Sequence, residues 1–334
     1  MPHPIRRLAP VALAIGIAVP AHGGAQAPAD GGPFARAPLA RWIAPPDVPG
    51  DSFIVFHARR TLDLPERPGR FPVHVSADNL YRLYVNGESV AAGPQRSDVA
   101  HWRYETVDLA PWLRPGRNVI AAVVWNWGAA RPVAQHSHRT GFLLQGGGPT
   151  VAERVNTGPG WKLRVDSAWT PLPVAPGQVS GYYAAAPGVE VDGARTPWGW
   201  ETVGYDDGDW YAIREPDDPA VIAPAQLRAV PGSGFGEVVA WQLEPRDIPP
   251  MEETVQRLAR VRRATGVPAS DAFLRGEGDL VVPANTTASV LLDQGHTTNA
   301  YPVLETTGGA GSTVTLTYAE ALVDAEGRKG NRNE

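Results

Sequence analysis

Tyr81-Arg82-Leu83-Tyr84-Val85-Asn86-Gly87-Glu88-Ser89-Val90 sets the fold class of this chain. Aromatic and β-branched residues alternate with polar ones up to Asn86, which is the two-residue period of a half-buried strand. Asn-Gly then takes positive φ at both positions, the requirement of a type I′ turn whose twist matches that of the flanking strands. A β-hairpin is expected. The same rhythm extends in both directions. Upstream, Phe53–Phe56, Thr61–Leu64 and Phe71–Ser76 read as short strands between turn formers. Downstream, Leu109–Leu113 reads as one helical turn, Val119–Trp127 as a buried core strand, and Thr140–Gln145 and Trp161–Val165 as further strands. Short strands at regular spacing, with no alternation of strands and long helices, predict an all-β sandwich of the jelly-roll kind and argue against a doubly wound sheet or a TIM barrel.

Composition agrees. Among 334 residues there are 36 Gly and 34 Pro, while charged residues make up 19%. Such a chain favours turns over long helices. The absence of cysteine excludes disulfides, thiolate chemistry and cysteine-based zinc sites. A net charge of −5 lacks the basic footprint expected for nucleic-acid or anionic-lipid partners.

Beyond the hairpin region, Pro216–Pro231 is a Pro-, Ala- and Asp-rich crossing, and a second β region follows with Val238–Leu243, Asp279–Val282, Ser289–Leu292 and the period-2 segment Thr313–Tyr318. Glu252–Arg263 reads either as a helix or as an extended connector. The expected organisation is a jelly roll over 51–215, a linker over 216–235 and a second β-sandwich over 236–334. With only four or five strands, that second sheet would keep an open edge, so the chain is expected to end inside its last domain. At the N-terminus, Arg6-Arg7, the apolar run Leu8–Ala21 and the small residues Gly23–Ala27 form the three parts of a secretory signal peptide over 1–27. Cleavage fits after Ala25 or Ala27, and a linker over 28–50 follows. The apolar run is shorter than the ~20 residues that span a bilayer, so a secreted or periplasmic protein without a membrane partner is expected.

Eleven tryptophans give the chemical lead. An indole face suits the C–H face of a sugar ring, and its N–H can donate to a hydroxyl. Trp102, Trp125, Trp127, Trp198 and Trp200 stand in or beside polar loops and are the candidate sugar contacts, although tryptophans more commonly serve a core. Trp125 and Trp127 share a strand face by spacing. His136-Ser137-His138 places two imidazoles on one face of an extended segment, able to bond a sugar but too few for a metal site. Tyr205-Asp206-Asp207-Gly208-Asp209-Trp210 clusters carboxylates without an EF-hand pattern, and Asx-turns are the commoner meaning of such a run. No metal or cofactor is expected. Glycoside hydrolysis requires two carboxyl groups across a cleft. Glu190, Glu201, Glu237 and Glu320 are available, but spacing does not pair them. No Gly-x-Ser-x-Gly elbow, HExxH helix or Walker A loop is present.

Four stretches carry a family resemblance. Val75–Gly87, continuing to Ala92-Gly93-Pro94, resembles the galactose-binding-like jelly roll in front of many bacterial glycoside hydrolases. Trp198-Gly199-Trp200-Glu201 with Tyr205–Trp210 is similar to a segment of bacterial α-L-rhamnosidases of family 78. Leu292–Tyr301 and Thr313–Leu322 resemble the opening and a later strand of that family's second sandwich, with His296 and its neighbours departing from the common pattern. The resemblance implies an inverting hydrolase that removes terminal α-L-rhamnose from a rhamnose-containing glycan or glycoside. It also implies catalytic glutamates on an (α/α)₆ barrel after these sandwiches. No such helical region is present, so no catalytic residue carries over, and the chain is expected to be inactive alone. The alternatives are a stand-alone carbohydrate-binding module and the head of a family 2-type β-glycosidase, the latter disfavoured by Asp293-Gln294-Gly295.

Overall fold

A computed structural model describes residues 40–148, 151–175, 178, 184–224, 241–319 and 328. The signal peptide, the first part of the expected 28–50 linker, residues 225–231 of the Pro-rich crossing and the carboxylates Glu237 and Glu320 lie outside the described residues. The chain divides into two compact units, 1–249 and 250–334.

The first unit contains β1 (Arg41–Ile43), β2 (Ile54–Leu64), β3 (Pro72–Asp78), β4 (Leu80–Val85), β5 (Glu88–Gly93), β6 (Trp102–Asp108) and β7 (Gly116–Asn126). It continues with β8 (Gly141–Gly146), β9 (Lys162–Val165), β10 (Trp169–Leu172), β11 (Gly188–Val191), β12 (Tyr211–Ala212), β13 (Val221–Pro224) and β14 (Leu243–Pro245). Two six-stranded sheets result, one in the order β13-β1-β8-β3-β6-β14 and the other β12-β9-β2-β7-β4-β5, beside a β10-β11 hairpin. Val73, Val75, Phe142 and Leu144 from the first sheet meet Phe56, Leu83, Ile120 and Val124 from the second in one buried cluster. The unit is therefore an all-β sandwich.

The hairpin forms as its sequence requires: Asn86 and Gly87 have φ of 54° and 93°, and β4 pairs antiparallel with β5. The Asn86 side chain also donates to Trp112 O at 2.9 Å and to Asn118 Oδ1 at 2.8 Å, tying the turn to its neighbours. The apolar run of β7 is explained by burial on both faces. Ile120, Ala122 and Val124 point into the sandwich, while Val119 and Ala121 pack outward against Trp200 and Trp210. A strand covered on both sides loses the alternation that marks a half-buried one.

Several expectations need correction. The two short runs at 53–64 are one strand of eleven residues, paired with β7 along its whole length. Its polar middle is tolerated because His57 and Arg59 each find a carboxylate. The first sheet also takes in β1, from within the expected 28–50 linker, and β13 and β14, from segments placed in or beyond the 216–235 linker. These three strands are too short for periodicity to reveal. β14 is held in parallel pairing with β6 and by the stacking of Trp241 on Trp42 at 3.9 Å.

In the second unit, β15 (Arg260–Thr265) pairs antiparallel with β16 (Ser289–Asp293), and α1 (Asp271–Arg275) lies between them in sequence. Of the two readings of 252–263 the extended connector holds: residues 252–259 form no regular element and strand begins at Arg260. The only helix among the described residues of this unit is α1, closed by Gly276 in the left-handed region at φ 78°. Asp279–Val282 and Thr313–Tyr318 are not strands. A period-2 pattern makes a strand only where a neighbour takes up its backbone groups, and among the described residues neither segment pairs with one.

Candidate functional site

Two assemblies of side chains organise the surface of the sandwich. The first is centred on Asp78, the last residue of β3. Its carboxylate is fully buried and accepts from Ser137 Oγ at 2.7 Å, His138 N at 2.7 Å, Arg139 N at 3.2 Å, Trp241 Nε1 at 3.0 Å and Asn79 Nδ2 at 2.7 Å. Asn126 Nδ2 also approaches at 3.2 Å. Burial pushes this carboxyl above its usual range, against the pull of those donors. Asn79 Oδ1 meanwhile accepts from Trp127 N at 2.9 Å. Two consecutive side chains thus fix both ends of the 127–138 loop and the indole of Trp241.

The second assembly lies on the outer face of the β12-β9-β2-β7-β4-β5 sheet. Arg59 is 1% exposed. It donates to Asp207 Oδ2 at 2.9 Å, to Thr202 O at 3.1 Å and to Trp200 O, and its guanidinium sits over the rings of Tyr205 and Trp210. Lys162 Nζ reaches the same carboxylate at 2.7 Å. Burial raises the Asp207 carboxyl, but the bonds from Lys162 and Arg59 outweigh it and hold the group below its usual range. Beside this pair, His57 contacts Asp166 at 3.0 Å and lies 4.2 Å from the Trp200 ring, and burial lowers its pKa despite the carboxylate. The segment 200–210 is thereby pinned to the sheet, and Trp198 stands just before it. Trp198 is 75% exposed, and its Nε1 donates to Gly193 O at 2.8 Å, so its ring is both open and oriented. Asp192 and Arg195 pair at 3.1 Å in the adjoining turn.

The sequence-derived candidates separate on this frame. Trp102 is buried, its Nε1 donating to Ala77 O at 3.3 Å, and Trp200 is buried against His57 and Tyr84; packing covers the faces of both. Trp125 is half-buried on the last turn of ladder in β7. Trp127 is half-buried beyond the strand, in a helical backbone conformation beside Phe53, so the expected strand face shared with Trp125 ends at Asn126. His136 and His138 are exposed, and His138 meets the edge of Trp241 at 4.9 Å. Trp127 and His138 are brought to one end through Asn79 and Asp78, whereas Trp198 and Trp200 belong to the other assembly. Asp206 forms an Asx-turn to Gly208 N at 2.9 Å, and Asp209 pairs with Arg164 at 3.1 Å. Sequence reasoning missed Asp78, Arg59 and Trp241 as organisers, since each acts across long chain separations that no local pattern encodes.

The buried carboxylates of the sandwich are engaged. Besides Asp78 and Asp207, Glu105 accepts from Tyr81 Oη at 2.9 Å, Gln95 N at 2.8 Å and Arg246 Nη1 at 3.1 Å. Asp166 accepts from His57, Ala168 N and Trp169 Nε1. A glycosidase needs one carboxyl free to give a proton and a second facing it across the bond. Glu190 lies exposed in β11 and Glu201 lies beside the pinned Trp200. Among the described residues no group of three or more His, Cys, Asp or Glu is arranged to hold a metal ion.

The family model of the α-L-rhamnosidase N-terminal domain matches residues 66–231. An α-L-rhamnosidase of Streptomyces avermitilis is 27% identical over 173 residues, which are 48% of this chain and 16% of that protein. The crystal structure of the GH78 family rhamnosidase of Bacillus sp. GL1 superposes with a TM-score of 0.51 at 25% identity, over 69% of this chain and 22% of the other. The native α-L-rhamnosidase from Aspergillus terreus gives a TM-score of 0.45 at 16% identity, over 70% and 25% of the two chains. The chain spans 16% of the length of the curated relative it matches.

Proposed function

Residues 66–231 belong to the α-L-rhamnosidase N-terminal domain family, and on that premise we propose that this chain is the non-catalytic N-terminal portion of a secreted α-L-rhamnosidase-like glycoside hydrolase. The parent would remove terminal α-L-rhamnose with inversion, using acid and base glutamates on a helical barrel outside this chain. The sandwich would support that barrel and meet rhamnose-containing glycans through Trp198. The observation that carries the reading is the state of the buried carboxylates. Asp78, Glu105 and Asp166 each accept several hydrogen bonds, and Asp207 is shared by Arg59 and Lys162. A carboxyl buried inside the sandwich, with its oxygens already taken by fixed donors, does not reach the glycosidic oxygen of a substrate as a general acid must.

The test is direct. The purified chain is incubated with an aryl α-L-rhamnoside, and no turnover is expected. Turnover abolished by a single Glu or Asp substitution would overturn the proposal. A second reading, a stand-alone carbohydrate-binding module, is favoured by the exposed and oriented Trp198 ring. Calorimetric titration with rhamnose oligomers tests the Trp198 contact on which both readings draw. Trp198→Ala should weaken any binding by about 0.5–1.5 kcal/mol, the scale of a single aromatic contact, without changing the fold.

A further inference from the structure

A groove of about 370 Å³ opens on the sandwich, lined by Arg41, Arg60, Arg154, Glu153 and Thr157 among others. Its volume falls at the lower end of the ~300–1,000 Å³ range of small-molecule sites. Its lining holds three arginines and a single acid, Glu153. Other arginines of the sandwich are matched by acids: Arg59 by Asp207, Arg103 by Glu244 and Asp247, and Arg246 by Glu105. In the groove they are not. Arg60 donates to the carbonyls of Pro159 at 3.1 Å and Arg154 at 3.0 Å, and Arg154 donates to Asp63 O at 3.3 Å. The Nε of Arg60 is buried without a partner. No ion pair to Arg41, Arg60 or Arg154 is formed among the described residues, although the whole chain carries more acids than bases.

The groove is also built in advance. Thr157 Oγ1 donates to Arg41 O at 2.6 Å, and Arg41 N donates to Thr157 O at 2.9 Å, which locks the backbone of β1 to one wall. Trp161 Nε1 donates to the carbonyls of Val155 at 3.1 Å and Asn156 at 3.0 Å, holding the turn after Arg154. Gly160 has φ +87°, and a Cβ there would overlap the Arg60 guanidinium. Like charges gathered on a fixed wall repel one another, and an anion relieves that repulsion. Guanidinium is the cation best suited to do so, because its planar fork meets two oxygens of one group.

We propose that this groove binds the anionic group of an acidic glycan, a hexuronate carboxylate or a sulfate ester. The ligand class rests on the carbohydrate reading above; the positive groove does not depend on Trp198.

The test is titration of the intact chain with trigalacturonate, with a sulfated galactose trimer and with neutral galactotriose. The variants are Arg41→Gln, Arg154→Gln and Trp198→Ala, each checked for an unchanged near-UV spectrum. Saturable binding of at least one acidic trimer is expected, weakened about tenfold by each arginine substitution and unchanged in Trp198→Ala. Binding should also weaken as NaCl rises from ~50 to ~200 mM. The tighter of the two acidic trimers identifies carboxylate or sulfate as the preferred group. Three results would overturn the proposal: no saturable binding of either acidic trimer, equal binding of the neutral trimer, or indifference to both arginine substitutions. Inorganic sulfate matching the trimers in affinity would overturn the assignment to a glycan. Loss of rhamnose binding in Trp198→Ala belongs to the other reading and leaves this result untouched.

Discussion

Replacing Arg59 with Met tests how the outer layer of the sandwich is held. Arg59 is buried, and methionine keeps most of its length while removing the charge and every donor. Three effects compete. Trp200 O loses its donor in a buried setting, a loss worth about 1–3 kcal/mol. Asp207 loses one of its two cations, and breaking a charge-assisted hydrogen bond costs about 1.5–3 kcal/mol. Lys162 remains at 2.7 Å and limits that loss. Thr202 is exposed, so water replaces the bond to its carbonyl at little cost. Against these stands the relief of no longer burying a guanidinium, which for a paired charge is itself worth several kcal/mol in a well-packed replacement. Methionine does not fill the planar space over Tyr205 and Trp210, so only part of that relief is realised. The net expectation is destabilisation of about 2–4 kcal/mol, or a fall in Tm of about 2–4 °C per kcal/mol for a unit of this size. Urea unfolding followed by tryptophan fluorescence measures it, since the Trp210 ring lies under the substituted guanidinium and the Trp200 carbonyl accepts from it. The double variant Arg59→Met with Asp207→Leu should lose less than the sum of the two single changes, because they share one interaction. A loss below about 1 kcal/mol, or strict additivity, would refute the view that Arg59 clamps residues 200–210 to the sheet.

The other predictions concern separate parts of the same unit. Asp78→Asn keeps the shape but sets an amide N–H₂ against donors, and should cost about 3 kcal/mol in a urea titration; a neutral outcome would mean that relief of the buried charge cancels the lost bonds. Burial lowers His74 to about 4. Its imidazole stays neutral in the folded chain while the unfolded chain takes up a proton near 6.5, so its contribution is complete above that pH and is lost as pH falls towards about 4, by up to ~3 kcal/mol. His74→Gln should therefore flatten stability between pH 7 and pH 4.5, as read from urea midpoints. Gly128 has φ +55°, and a Cβ there would overlap Asp51 O; Gly128→Ala should cost about 2 kcal/mol or more, measurable by calorimetry.

What the sequence reveals of this fold depends on how local each cause is. The hairpin at 81–90 is legible because Asn86-Gly87 and the alternation around it act within ten residues. The apolar run of β7 is legible as a core strand, and its two-faced burial accounts for the broken alternation. β1 and β14 are not legible: three residues hold no period, and their placement depends on Trp42 stacking with Trp241, some two hundred positions away in the chain. The tryptophan candidates divide for the same reason. Composition marks indoles as sugar-facing or core-forming alike, and only the partners of each decide. Trp102 spends its N–H on Ala77 O inside the core, while Trp198 spends its own on Gly193 O and leaves the ring open. The arginine groove has no sequence signal, since Arg41, Arg60 and Arg154 are separated by most of the sandwich.

β14 runs parallel to β6, the only strand pair of the first unit among the described residues that does so. Its exit at Arg246 is held by Glu105 and by the stacked pair Trp42–Trp241 just upstream. Tension directed along the β14 axis would load that ladder lengthwise. Bonds loaded lengthwise must yield together, whereas bonds loaded crosswise open one at a time. For a load in that direction, even three residues of terminal strand would act as one unit.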